Sequence, residues 1–306
     1  MLHKTRAIVF KTTDYGESSV IVQLFTEKFG LQSYIINGVK KPRAKITGNM
    51  LQPLHLLDVV VYHKNNNSIQ RISELKNSPV LLSLPYNVIK SCLAIFLNEV
   101  LYKAVKQQGT DESLFGFVFS SIEWLDHQAD GLANFHLLFL IQLTRYLGFY
   151  PDTTFASNAE YFDMKNGVFT RYKPDSFSYL SPPHTRDFYN LLECSFENCP
   201  QLKLTNDDRR YLLNKLLEYY ALHIESFGNV RSQAVLEEVL SWSRNFRQKK
   251  RESFQTISFF HFNWPHYYII KNKLVRPIIT IAQIYNLKQY LYNFFTFFNK
   301  KVVKKQ

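Results

Sequence analysis

What this chain lacks narrows its chemistry first. Its 306 residues contain no G-x-x-x-x-G-K-[ST], no G-x-G-x-x-G, no G-x-S-x-G and no H-E-x-x-H. A phosphate-cradling loop, a dinucleotide crevice, a nucleophile elbow and a helical zinc pair are therefore all without their signatures. Cysteine is scarce, with Cys92, Cys194 and Cys199 the only three. The last two stand five apart with no second pair to complete four ligands, so they read as buried or incidental thiols in a reducing compartment. No apolar run reaches about 18 residues, and no charged-then-apolar leader opens the chain. A soluble, cytoplasmic protein with no membrane partner is the expectation.

The remaining titratable groups form no reactive set. His136 lies within the apolar stretch "FHLLFLIQLTRYLG" and reads as a core histidine rather than a ligand or base. Asp207 and Asp208 in "LTNDDRRYLL" resemble paired carboxylates, yet acids at the start of a helix complement its dipole, and that reading is preferred. Nothing here asks for bond chemistry. A binding protein without cofactor is expected ahead of an enzyme, a nuclease being the weakest of the enzyme readings.

Charge is plentiful but uneven. The formal net charge is +12 at pH 7, and residues 243–306 supply it, with 13 Lys and Arg against one acid, Glu252. Residues 1–242 balance at 24 of each sign; within them residues 1–80 hold 11 cations and 5 acids, residues 81–242 hold 13 and 19. The basic N-terminal region is thus the informative asymmetry.

That region alternates as half-buried strands do. "AIVFKT" (7–12), "SSVIVQLFT" (18–26), "LQSYIING" (31–38), "LHLLDVVVYH" (54–63) and "SIQRISEL" (68–75) are five candidate strands, separated by the turn-forming "DYGE", "EKFG", "VKKPRAK" and "KNNN". Five short strands in a span of this size predict a small barrel, the five-stranded OB fold first and an SH3-like barrel second. Pro79 and Pro85 in "NSPVLLSLPYN" end the pattern and mark a domain boundary at 80/81.

Beyond it the period becomes helical. Ile89, Leu93, Phe96, Leu97, Val100 and Leu101 share one helix face, and Asp111 suits the cap of a second helix running to about Leu125. A third, Ala133 to Leu147, is apolar nearly all round and belongs at the centre of a bundle. An irregular excursion, residues 149–184, carries a hairpin pattern at "YFDMKNGVF"; helices resume at Arg186–Cys194, Asp207–Phe227 and Ser232–Leu240. The fold class is α+β, with a barrel at 1–80, a helical domain at 81–241 and a separate tail at 242–306.

The tail has no Gly, no Asp and 15 aromatics in residues 243–306. This is the composition of translated AT-rich DNA, and a read-through or frame-shifted extension past a natural end near Leu240 to Ser241 is the preferred account. A basic aromatic arm for nucleic acid, or a membrane-surface or partner-binding helix, are the alternatives.

One loop stands out chemically. "NGVKKPRAK", Asn37 to Lys45, places Lys40, Lys41, Arg43 and Lys45 around a proline, beside a strand carrying Tyr34. On a small barrel such a loop can follow phosphates while strand side chains, Tyr34 among them, meet bases. Gly38 permits close backbone approach, and Pro42 limits the disorder lost on binding. A solvated turn is the competing reading.

The order and spacing of "AIVFKTTDYGESS", "FTEKFGL", "NGVKKPRAK" and "LQPL", followed by "FLNEVLYKAV", "FHLLFLIQLTRYLGFYP" and "LEYYALHIESFGNVRSQAVLEEVL", resemble the RecO family of bacterial recombination mediators, in its Bacteroidetes-like branch. The likeness runs over residues 1 to about 241. It implies an OB fold followed by a helical domain, and a nucleoid-associated DNA repair protein. It further implies binding of single- and double-stranded DNA, annealing of complementary strands, contact with the acidic C-terminal tail of single-stranded-DNA-binding protein, and partnership with RecR in loading RecA. The DNA-facing candidates it implies are Lys40, Lys41, Arg43 and Lys45, with Lys11 and Arg71 as weaker ones. Many family members carry four zinc-ligand cysteines in the excursion; "TTFASNAEYFDMKNGVF" has none, so no metal is expected. The family offers no counterpart of the tail. An RNA-binding OB protein, or a scaffold without direct DNA contact, is the alternative function.

Overall fold

The computed structural model describes residues 1–63, 69–105 and 109–240. The first of its two units, Met1–Gln233, holds the barrel and most of the helices; of the second, Ala234–Gln306, the described residues 234–240 are helical. The expected tail therefore lies outside the described residues.

Five strands form the N-terminal part: β1 (Leu2–Tyr15), β2 (Ser19–Thr26), β3 (Gly30–Ile36), β4 (Leu56–Tyr62) and β5 (Gln70–Asn77). They close in the order β1-β2-β3-β5-β4, with β3 and β5 parallel and the other pairs antiparallel. This is an OB-like barrel, which settles the choice against the SH3-like alternative. Following ladder partners from Thr13 through Ile21, Ile35, Arg71 and Tyr62 leads back to β1 not at Thr13 but at Leu2. The strands are therefore steeply tilted, as closure of so few strands requires.

β1 is longer than its hydrophobic pattern suggested, because one strand serves two neighbours. Its first half pairs with β4 and its second with β2. The register with β2 slips between Val9 and Lys11, so Phe10 is the extra residue of a bulge. Ala7 and Val9 point into the barrel with Val22, Leu24, Tyr34 and Val59. Phe10, on the outside, stacks on Phe25 at 5.6 Å, and Phe25 meets Phe115 of the helical part at the same separation. Two apolar faces of β1 are thereby buried, one in the barrel and one against the helices.

The helical part comprises α1 (Val88–Ala104), α2 (Glu112–His127), α3 (Phe135–Leu147), α4 (His184–Leu192) and α5 (Asn206–His223). Asn87 caps α1 by accepting from the amides of Ile89 and Lys90, and Asp111 caps α2 as its position predicts. α3 is central: nine of its residues, from Phe135 to Thr144, are buried. α5 begins with a capping box in which Thr205 and Asp208 exchange bonds, so Asp208 is a helix-start residue. It ends at His223, earlier than the pattern suggested, because Ser226 and Gly228 take positive φ and break the helical turn.

Within the excursion, β6 (Tyr161–Asp163) and β7 (Val168–Thr170) form the expected hairpin, and β8 (Tyr179–Leu180) adds a third strand that sequence pattern did not reveal. Phe162 packs at 4.8 Å on both Phe169 and Phe188 of α4. Apolar ring contact thus ties this sheet to the bundle, and its side chains offer no thiolate donors that would fit a zinc ion.

The connection between barrel and helices is pinned by one buried acid. Asp126, at the end of α2, accepts from the amides of Leu82, Ser83 and Leu84 at 2.8, 2.8 and 2.6 Å. Its backbone carbonyl accepts from the Ser83 hydroxyl and, at 2.7 Å, from the ammonium of Lys90. Burial works against the Asp126 charge, yet these backbone bonds carry its pKa below the usual carboxylate value.

Candidate nucleic-acid interface

The basic loop is ordered by ordinary turn chemistry. The amide of Lys41 donates to Gly38 at 3.1 Å, and that of Ala44 donates to Lys41 at 3.2 Å, giving two successive turns. Gly38 has φ 75, a conformation glycine adopts freely. In the second turn Pro42 is followed by Arg43 at φ 61, the order of a type II turn with arginine where glycine is usual. Val39 is buried and Ile46 packs against the barrel core, so the loop is fastened on both sides of its cations.

It is also fastened to the neighbouring hairpin. The amide of Lys40 donates to Ser18 at 3.2 Å, Ser19 donates to Asn37 at 3.1 Å, and the Lys40 ammonium pairs with Asp14 at 2.9 Å. The β1–β2 turn is one of the two loops by which OB folds hold oligomeric ligands, and strands 2 and 3 are the adjoining face. Lys40 is partly neutralised by Asp14; Lys41, Arg43 and Lys45 are exposed and have no ion pair among the described residues.

The two weaker candidates lie on the same outer sheet face. Lys11 shares a ladder row with Gln23 and Ser33, and Arg71 shares the next with Thr13, Ile21 and Ile35. Ile35 is two residues before the loop, which brings Arg71 to its base. Lys11 extends the other way, its ammonium 5.5 Å from the ring centre of Tyr102 on α1. Five of the six cations are therefore grouped around one end of the sheet, and Lys11 flanks them at the seam with α1.

Tyr34 is a correction. It is 0% exposed and lies inside the barrel, where burial pushes its hydroxyl pKa up to about 12. It cannot meet a base. The alternation itself carries the reason: Tyr34 has the same parity as Ile36 and faces Val22 across the ladder, both inward residues.

His136 is 1% exposed on α3 and its pKa is driven down to about 3 by burial and by the charge of Arg209, so it is a neutral core residue. Cys92 and Cys199 are buried, and burial raises both thiol pKa values to about 12. Among the described residues one group could in principle grip a cation: His184, Asp187 and Asp208, with donor atoms within 4.8 Å of one another. Both acids sit in the first turns of α4 and α5, where they complement the positive helix ends that would oppose a metal ion. No helix among the described residues is long and apolar enough to cross a membrane.

Residues 1–78 match the family model described as Recombination protein O N terminal, and residues 86–233 match Recombination protein O C terminal. The chain belongs to the RecO family. Relatives called DNA repair protein RecO agree along nearly their full length. That of Azobacteroides pseudotrichonymphae is 37% identical over 239 residues, covering 78% of this chain and 99% of the relative. Those of Flavobacterium psychrophilum and Bacteroides fragilis are 37% and 34% identical over 243 and 240 residues, with the same coverage. RecO membership places the chain among DNA repair and recombination proteins. The gap between the two RecO family models, residues 79–85, contains the segment that Asp126 pins.

Proposed function

We propose that this RecO family member is a recombination mediator that binds single- and double-stranded DNA through its basic barrel and anneals complementary strands. With RecR it would help load RecA on DNA covered by single-stranded-DNA-binding protein, whose acidic tail the helical part would contact. In this reading the barrel of residues 1–80 grips DNA, and the helical domain of residues 81–241 meets protein partners. The observation that carries it is the ordered loop Asn37–Lys45, fastened to the β1–β2 turn with Lys41, Arg43 and Lys45 free of ion pairs among the described residues. Annealing needs no reactive group. It needs neutralised backbones whose bases remain free to pair, and cations on a sheet rim supply the first without covering the second.

The test is annealing of two complementary oligonucleotides by the full chain and by a variant with Lys40, Lys41, Arg43 and Lys45 all changed to Ala. The unaltered chain should accelerate annealing and the variant should lose most of that acceleration while melting at nearly the same temperature. Equal annealing by both would place the grip elsewhere. Stronger binding to RNA than to DNA of the same sequence would favour an RNA ligand read through its 2′-hydroxyls.

A further inference from the structure

The row that leads from the basic loop does not stop at Arg71. The ladder partner of Arg71 on β4 is Tyr62, whose own partner on β1 is Leu2. Val61 points into the barrel, so Tyr62 points out, and it is 48% exposed. Directly opposed residues of an antiparallel pair lie about 4.5–5.5 Å apart, which sets the Tyr62 and Arg71 side chains next to one another on the outer face. One strand further along lies Ile35, just before the loop. Lys4 occupies the same face, two residues along β1 from Leu2. The Tyr62 side chain has no hydrogen bond or ring contact among the described residues, and the barrel core does not use it.

We infer that Tyr62 is a base-stacking platform for single-stranded DNA, with Arg71 holding the phosphate beside it. This rests on the DNA-binding reading above and adds to it a contact with the base. A strand whose phosphates follow the loop cations onto Arg71 delivers its next unstacked base to the adjacent strand of the sheet, where the exposed ring stands. Arg71 and Lys4 flank the ring with positive charge that Glu74, in the Lys4 row, offsets only in part, and the remaining excess suits an anionic strand. A duplex keeps its base faces stacked internally, so this contact adds affinity for single strands only.

The test compares binding of the full chain to an oligothymidylate and to an abasic oligomer of equal length across a salt series. Tyr62→Ala should weaken oligothymidylate binding by about 5- to 150-fold, leave the salt slope unchanged and leave abasic binding unaltered. Tyr62→Phe should stay within about twofold of the unaltered chain, since a phenyl ring still stacks. Tyr172→Ala, removing an exposed tyrosine of the helical part, should change neither. No loss on oligothymidylate, or an equal loss on the abasic oligomer, would overturn the stacking role. Failure of the unaltered chain to bind either oligomer would overturn the DNA-binding reading, and the stacking role with it.

Discussion

In the proposed DNA-binding role, Arg43 carries a conflict between stability and binding that can be separated experimentally. Its φ of 61 is a conformation that costs a residue with a side chain about 1–2 kcal/mol and costs glycine nothing of that kind. Arg43→Gly should therefore stabilise the chain by about 0.5–1 kcal/mol, once glycine's greater chain entropy is set against the relief. The same change should weaken DNA binding by removing a cation. A higher melting temperature combined with a lower affinity is the expected pair of results. Arg43→Lys, which keeps both the strain and the charge, should move neither far. Tyr34 and Tyr62 show how residue-level reading succeeds and fails. Both are aromatic residues of strands in a basic barrel, and only the parity of each strand tells the inward ring from the outward one. The parity was present in the sequence for both, but the chemical appeal of an aromatic beside a basic loop outweighed it for Tyr34.

Element by element, the strands and helices with one buried face could be read from their hydrophobic periods, and the central α3 from its nearly continuous apolar run. The boundaries that differed have local causes. β1 extends to Leu2–Tyr15 because its polar ends pair with two different strands, a tertiary demand that leaves no mark on its own alternation. β8 has two residues, too short for any period to register. The clasp at Asp126 was also illegible, since a buried acid looks like any other acid until its donors are known. Removing it should be costly. Asp126→Ala strands three amides while Lys90 keeps its bond to the backbone carbonyl, an expected loss of about 1–3 kcal/mol in denaturant unfolding. Its acid dependence has a fixed sign. Because folding lowers the Asp126 pKa from 3.8, its contribution is present above that value and is lost as pH falls below it. The unaltered chain should lose stability on acidification in that range, and the Asp126→Ala variant should lose less.

At the scale of the whole molecule, fold class and family were legible because order and spacing over some 240 residues carry far more information than any one motif. The proposed grip on DNA was legible only as a charge asymmetry and one loop. What the sequence could not give is the arrangement: that Arg71 comes round to the loop through the parallel β3–β5 pairing, and that Lys11 diverges towards Tyr102. Net charge alone would have misled, since the formal +12 equals the excess within residues 243–306. The decisive measurement is therefore the dependence of single-stranded DNA affinity on salt, for the chain ending at Ser241 and for the full chain, each with and without the four alanine replacements at Lys40, Lys41, Arg43 and Lys45. Each phosphate neutralised on a single strand contributes about 0.7 to the slope of log affinity against log salt, so the replacements should flatten it by about 2–3 in both chains. An unchanged slope, or DNA binding confined to chains that retain residues 242–306, would contradict the account.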